Sequence, residues 1–169
     1  MNLSYLVGQL TTNAGRISSL VEAISEEDAR WKPDTESWSI LEVINHLYDE
    51  ERLDFRVRLD IILHNPDQPW PPIDPQGWVL ERRYNERALS ESLERFLAER
   101  EKSLIWLGAL DSPDWDQNYK SPFGNISAGD MFAAWVTHDH IHMRQQVELH
   151  RAKTEIEASP YKLAYAGDW

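Results

Sequence analysis

Residues 138–145 read His-Asp-His-Ile-His-Met-Arg-Gln, and the pattern around this stretch decides the fold of the chain. Residues four apart lie on one face of an α-helix, so His138 and His142 can direct two imidazoles towards one point. His140 lies about 200° around the helix from His138 and should face away. The same face carries hydrophobic residues at helical spacing, which predicts that the histidine pair points into the protein. These residues are Met131, Trp135 and Leu149.

Three further helices are predicted before this one. Alternating four- and three-residue spacing of aliphatic residues predicts a first helix over about residues 2–26, followed by a loop. Ser39 and Glu42 form a capping box that begins a second helix, and Asn65-Pro66 ends it. A third stripe runs from about Ser90 to about Leu110.

The connections are predicted to be irregular. Residues 66–77 contain five prolines and should form a stiff link across the bundle, with Trp70 and Trp78 either lining a pocket or anchoring the link to the core. Residues 115–125 are rich in turn residues. The aromatic tail over residues 152–169, which ends in Trp169, should pack on the outside of the bundle or on a partner subunit.

The composition indicates one soluble domain over residues 1–169. Hydrophobic residues make up 41% of the chain and no apolar run approaches the roughly 20 residues that span a membrane. The first residues lack the basic and apolar regions of a signal peptide, so we expect a cytoplasmic protein. The net charge of -12 would repel phosphate backbones, which argues against nucleic-acid binding and favours a small-molecule substrate.

Four amphipathic helices without a clear strand pattern predict an all-α four-helix bundle, whose core can hold a metal between facing helices. His46 on the second helix, with His138 and His142 on the fourth, would supply three imidazoles and leave one coordination position open. The chain has no cysteine, so its metal ligands must be nitrogen or oxygen atoms. Hydrogen-bonded packing of the histidines in the core is the alternative interpretation.

Several polar residues near the histidines have two possible roles. Asp139, Gln145 and Glu50 are candidates for orienting the ligands, although each could equally be a solvated helix residue. Arg100 falls within the third apolar stripe. Its guanidinium needs either a carboxylate on the second or fourth helix or a path to solvent.

Three sequence elements together resemble the DinB-like superfamily of bacterial metal-binding four-helix bundles, over nearly the whole chain. They are Trp38-Ser39-Ile40 with Glu42, His46 and Leu47; Pro122-Phe123-Gly124; and His138-Asp139 with His142 and Gln145. The resemblance implies an up-down-down-up bundle, often a homodimer, with a divalent metal such as zinc or nickel on three histidines. By motif position these histidines are His46, His138 and His142.

Members of this superfamily include S-transferases that use bacillithiol or mycothiol, so the resemblance implies a metal-dependent transferase with a low-molecular-weight thiol as cosubstrate. A metal-dependent hydrolase could use the same ligands, with Glu50 as a weak candidate for the general base. A non-catalytic dimeric module that binds a metal or a partner is a third hypothesis. It requires a site that is coordinatively closed or free of metal, with no cavity leading to it.

Overall fold

The computed structural model describes residues 1–122 and 124–167, and this part of the chain is mostly helical. The α-helices are α1 (Leu3–Val21), α2 (Glu26–Arg30), α3 (Ile40–Glu50), α4 (Arg56–His64), α5 (Pro75–Glu81), α6 (Leu89–Ala109) and α7 (Ala128–Glu157). A π-helical turn, Glu51–Phe55, joins α3 to α4, so the two form one helix from residue 40 to residue 64. Short 3-10 turns occupy Tyr84–Glu86 and Ala164–Ala166.

Local side-chain chemistry fixes where the site-bearing helices begin. The Ser39 hydroxyl accepts from the Glu42 N–H, and the Glu42 carboxylate accepts from the Ser39 N–H, as the predicted capping box requires. Ser127 and Asp130 form an equivalent box at the start of α7. Both begin within a residue of the predicted positions, and α7 extends beyond the predicted end near residue 152 to Glu157.

The first helix is shorter than predicted. It ends at Val21 rather than near residue 26, and the short helix α2 follows it. The Ser25 side chain accepts a hydrogen bond from the Asp28 N–H and so caps the new helix. A serine with three acidic residues after it is a strong helix start, because the negative charges favour the N-terminal end of a helix.

The proline-rich link also contains more structure than expected. Asp74 caps α5, and Pro75 occupies its first turn, where the missing N–H of proline has no consequence. Trp78 lies buried in this helix, while Trp70 stacks on Tyr119 at 4.4 Å between ring centroids. Both tryptophans therefore anchor the link to the core.

The link before α7 contains a short β-hairpin, where the sequence predicts only a connection rich in turn residues. Strands β1 (Asn118–Ser121) and β2 (Gly124–Ser127) pair antiparallel, with Tyr119 opposite Ile126. Gly124 has φ +109°, which glycine adopts without steric cost at the turn. Four-residue strands are too short to produce a recognisable alternation, which is why the sequence indicated only turns. Phe123 lies outside the described residues.

The four long helices are arranged up-down-down-up, which confirms the bundle and its connectivity. Two apolar clusters mark the ends of the bundle, one including Ile17, Ile44, Phe96 and Leu149, the other including Leu10, Leu59, Leu107 and Phe132. Helices α1 and α7 run from the second cluster to the first, whereas α3–α4 and α6 run the opposite way. Helices α1 and α3 each pack against both α6 and α7.

The tail after α7 leaves its tyrosines in solvent on the single chain. Tyr161 and Tyr165 are exposed, so the tail does not pack on its own bundle through them, and Trp169 lies outside the described residues. Packing of these residues on a partner subunit stays a prediction. Among the described residues, no helix is long and apolar enough to cross a membrane.

Between the two apolar clusters lies a buried ionic layer centred on Arg100. Its guanidinium donates to both carboxylate oxygens of Glu51, at 2.8 and 3.0 Å, and to both of Asp139, at 2.8 Å each. It also donates to the Leu10 carbonyl at 3.0 Å. Burial alone would lower the pKa of Arg100, but the two carboxylates outweigh it and hold that pKa above its ordinary value.

Of the two environments predicted for Arg100, the structure shows the buried carboxylate partner and not the path to solvent. The predicted carboxylate partner exists on the second helix and on the fourth, and the arginine is 1% exposed. Asn13 and Trp135 complete the layer by donating to Asp139 and Glu51 at 3.2 and 2.9 Å. One guanidinium therefore ties α6 to α1, to the π-helical turn and to α7.

We expect Arg100→Met to lower the free energy of unfolding by about 3–5 kcal/mol, because two buried carboxylates would lose their counter-charge. Urea denaturation followed by circular dichroism measures the change. The matched control is Arg95→Met on the same helix. Arg95 pairs with Glu91 in solvent, so its loss should cost less than about 1 kcal/mol. Equal effects of the two substitutions would show that the buried layer has no special importance.

Candidate metal centre

Three imidazoles meet where α3 faces α7. His46 projects from α3, and His138 and His142 project from successive turns of α7. The Nε2 atom of His46 lies 3.3 Å from that of His138 and 3.1 Å from that of His142. The Nε2 atoms of His138 and His142 are 3.1 Å apart. The predicted set thus forms a compact triangle of nitrogen atoms, and the group is buried or half-buried.

The size of this triangle fits a divalent metal. Metal–nitrogen bonds of about 2.0–2.1 Å place two ligand nitrogens about 2.9 Å apart at a right angle and about 3.4 Å apart at the tetrahedral angle. The three observed separations fall between these limits. Nitrogen lone pairs that converge without a cation repel one another, so the arrangement is the one that a shared positive ion stabilises.

Gln145 fixes the tautomer of one ligand. The Nδ1 atom of His142 lies 2.8 Å from the Gln145 Oε1 atom, to which it donates. The His142 Nε2 atom therefore keeps its lone pair and points it into the triangle. Gln145 stands where the sequence prediction put a residue that orients the ligands.

Glu50 lies behind His46 rather than beside the nitrogen triangle. Its Oε1 atom is 3.9 Å from the His46 Nδ1 atom, and neither atom has a hydrogen-bond partner among the described residues. Burial, followed by the neighbouring Asp54, raises the pKa of Glu50 to about 8. A carboxyl group on this side of the ring can orient His46, but it does not face the position left open by the three Nε2 atoms.

Asp139 has a different setting from the one we expected. Its oxygens bind Arg100 and Asn13, and no imidazole is among its hydrogen-bond partners in the described residues. Because it follows His138 directly in α7, it connects the site to the ionic layer through the backbone. It is thus an anchor for the helix that carries two of the histidines.

Burial favours the neutral form of the three imidazoles. It is the largest cause that lowers the pKa of His46, to about 3, and it lowers the pKa of His138 and His142 as well. Neutral imidazole is the form that binds a metal. At neutral pH all three ligands are therefore ready to bind without losing a proton.

The remaining histidines stand apart from the site, as their sequence positions indicate. His140 is exposed on the opposite side of α7. His64 pairs with Asp60 on the surface of α4. His150 contacts the Leu20 carbonyl through Nε2 at 2.6 Å, so it joins α7 to α1.

A solvent-connected cleft of about 620 Å³ leads to the site. Its floor includes His46 and His142, and its walls are residues from the 33–38 loop, the start of α5 and the last turns of α7. Trp38 forms part of the wall. Its ring lies 4.9 Å from the His46 ring and parallel to the His142 ring at 6.4 Å, measured between centroids.

Of the two roles that the sequence leaves open for Trp70 and Trp78, the structure supports anchoring of the link and not lining of this cleft. Neither Trp70 nor Trp78 lines the cleft, whereas Trp38 does. The available signal was its position directly before the capping serine, because the capping box that starts α3 also fixes the residue preceding it.

Comparisons with known proteins agree with this fold. A family model for the DinB superfamily matches residues 9–146, which is most of the chain. A solved structure of YfiT from Bacillus subtilis has a TM-score of 0.77 and 18% sequence identity, covering 88% of this chain and 85% of that one. YfiT is described as a probable metal-dependent hydrolase with an unusual four-helix bundle topology. No curated protein matches the sequence at a significant level.

We expect Gln145→Leu to weaken the affinity for Zn²⁺ by about 10- to 100-fold, because His142 would lose the acceptor that fixes its tautomer. Competition with a chelator of known affinity measures the change. Gln145→Glu keeps an acceptor and should restore most of the affinity. Gln76→Leu is the control, since Gln76 lines the same cleft without a hydrogen bond to a histidine in the described structure. If Gln76→Leu weakened binding as much as Gln145→Leu, the hydrogen bond to His142 would not be the cause.

Proposed function

This chain belongs to the DinB superfamily, and we propose that it is a divalent-metal-dependent enzyme that transfers a low-molecular-weight thiol to an electrophilic substrate. His46, His138 and His142 would hold the metal, for which zinc and nickel are the candidates. The observation that carries the proposal is the triangle of three Nε2 atoms at 3.1–3.3 Å with an open cleft beside it.

The open cleft supports catalysis over a purely structural metal. Structural metal sites are closed by protein ligands, whereas catalytic sites keep a position for water or substrate. Here the protein supplies three ligands, and two of them are on the floor of the cleft. A divalent cation at this position would supply Lewis acidity, which lowers the pKa of a bound thiol or water molecule. The non-catalytic module, which needs a closed or metal-free site with no cavity leading to it, is less well supported because a cleft reaches His46 and His142.

Three features favour a thiol as the nucleophile. The cleft of about 620 Å³ falls within the range of sites that hold a small-molecule ligand, so it has room for both a thiol and its acceptor. The chain has no cysteine of its own, so the sulfur must come from a cosubstrate. Glu50, which the sequence offers only as a weak candidate for the general base of hydrolysis, lies on the Nδ1 side of His46 and away from the open position.

The protein's own residues have defined tasks in this reaction. The cosubstrate thiol loses its proton to solvent through the cleft, and its sulfur forms a bond to an electrophilic carbon while that carbon releases its leaving group. Gln145 holds His142 in the tautomer that presents a lone pair. Trp38 packs beside His46 and His142 as part of the cleft wall.

Metal-dependent hydrolysis is the second candidate, and the description of YfiT favours it. It would use the same three histidines, with water as the nucleophile. The predicted homodimer and the cytoplasmic location stay predictions.

We expect protein loaded with zinc or nickel to accelerate conjugation of monochlorobimane with at least one thiol among bacillithiol, mycothiol and cysteine. The rate should require both metal and thiol. His138→Ala should reduce it by at least about 100-fold, because losing a ligand removes most of the metal affinity. The exposed His64→Ala should leave it unchanged.

Fluorescence of the bimane conjugate measures the rate. Cleavage of ester or amide substrates by the metal-loaded protein, independent of any thiol, would replace the transferase proposal with the hydrolase. If neither thiol conjugation nor hydrolysis exceeded the rate with His138→Ala, the catalytic proposal would fail.

A further inference from the structure

We propose that the cleft above the three histidines selects a thiol that carries a positively charged ammonium group, through Trp38, Glu36 and Glu148. This inference rests on the proposed function, because it specifies which class of thiol the site receives. It concerns the walls of the cleft and not the nitrogen atoms on its floor.

The charged residues that line the cleft are both acidic. Glu36 lies in the loop before α3, and Glu148 lies on α7 two turns beyond His142. No lysine or arginine is among the described lining residues. An anionic ligand would therefore meet negative charge and no formal positive charge from the walls.

Nearby basic residues do not reverse the negative charge of the cleft walls. Lys32 is held by both oxygens of Glu42, at 3.2 and 3.0 Å, so its charge is compensated outside the cleft. Arg144 contacts Glu148 at 2.7 Å, but its side chain is 79% exposed. Such a solvated pair is weak and screened by salt. The Glu36 carboxylate makes no hydrogen bond or ion pair with any described residue, so it is available to a ligand.

Trp38 adds an aromatic surface beside the acids. The ring is half-buried and packs on His46 and His142, so part of it faces the cleft. The face of an indole ring attracts cations, and it does so more strongly than other aromatic side chains. A tryptophan with two acidic residues in the same cleft, and no basic residue among the described lining residues, is an environment that recognises an ammonium group.

The charge of the whole chain acts in the same direction. The net charge of -12 produces a negative potential that raises the local concentration of cations and lowers that of anions. Within the cleft, the two acids and Trp38 then distinguish ligands at short range. Thiols with several carboxylates should bind poorly, and thiols with an ammonium group should bind well.

Three thiols with one sulfhydryl group each test this selection: thiocholine, which is cationic; 2-mercaptoethanol, which is neutral; and mercaptosuccinate, which is anionic. The full chain is loaded with Co²⁺, whose visible absorption changes when sulfur binds, and each dissociation constant is measured by titration. For every thiol, the affinity of a variant is divided by that of the wild type, because the intrinsic pKa of the thiol then cancels.

We expect Glu36→Gln and Trp38→Leu each to weaken the binding of thiocholine by about two- to five-fold. Glu36→Gln should also strengthen the binding of mercaptosuccinate. The affinity for 2-mercaptoethanol should change little with either substitution. Glu148→Gln should act like Glu36→Gln but more weakly, because Arg144 already offsets part of its charge. Glu91→Gln is the matched control, because it removes an exposed acid on α6 outside the cleft lining. It should leave the affinity for all three thiols unchanged. Circular dichroism and Co²⁺ stoichiometry verify that each variant folds and keeps its metal.

Two contrary results have different meanings. If all three thiols bind and the cleft variants change their affinities by equal factors, the selection for an ammonium group is wrong while the thiol-dependent function stands. If no thiol alters the Co²⁺ spectrum, the thiol-dependent function is wrong and the selection falls with it.

Discussion

The buried guanidinium of Arg100 joins all four helices of the bundle in a single layer. It comes from α6 and contacts the Leu10 carbonyl on α1, Glu51 in the π-helical turn and Asp139 on α7. A buried ionic layer tolerates little sliding, because a shift of one helix would leave a charge without a partner. Hydrophobic contacts above and below it are less directional. The layer therefore sets the register in which α7 faces α3.

The candidate metal site lies directly beside this layer. His138 directly precedes Asp139 in α7, and Glu50 directly precedes Glu51 at the π-helical turn. At both places a residue near the site is therefore the sequence neighbour of a residue in the ionic layer. The layer lies on the side of the imidazoles away from the cleft, which is bordered by later turns of α7. Fixed helices below and an open cleft above are what a catalytic metal site requires, since the ligands must be held while a substrate can still enter.

Much of the fold could be predicted from local sequence. The capping boxes at Ser39 and Ser127 predict where two helices begin. Helical spacing predicts which faces are buried, and it correctly places the histidine pair on an inward face. The α2 helix and the hairpin were missed because their few residues produce no periodicity. The environment of Asp139 could not be predicted, because its partners Arg100 and Asn13 lie 39 and 126 residues away in sequence. Spacing along a helix gives a side chain its direction but not the identity of the residue it meets.

The central claim is that three histidines from two facing helices hold one divalent metal ion. The most direct measurement is the metal content of protein purified without chelator and without added metal, for the wild type, His142→Ala and the exposed His140→Ala. We predict close to one ion per chain in the wild type and in His140→Ala, and almost none in His142→Ala. A wild-type protein that stays free of metal even after reconstitution with zinc or nickel would contradict the claim, as would a His142→Ala variant that keeps its metal.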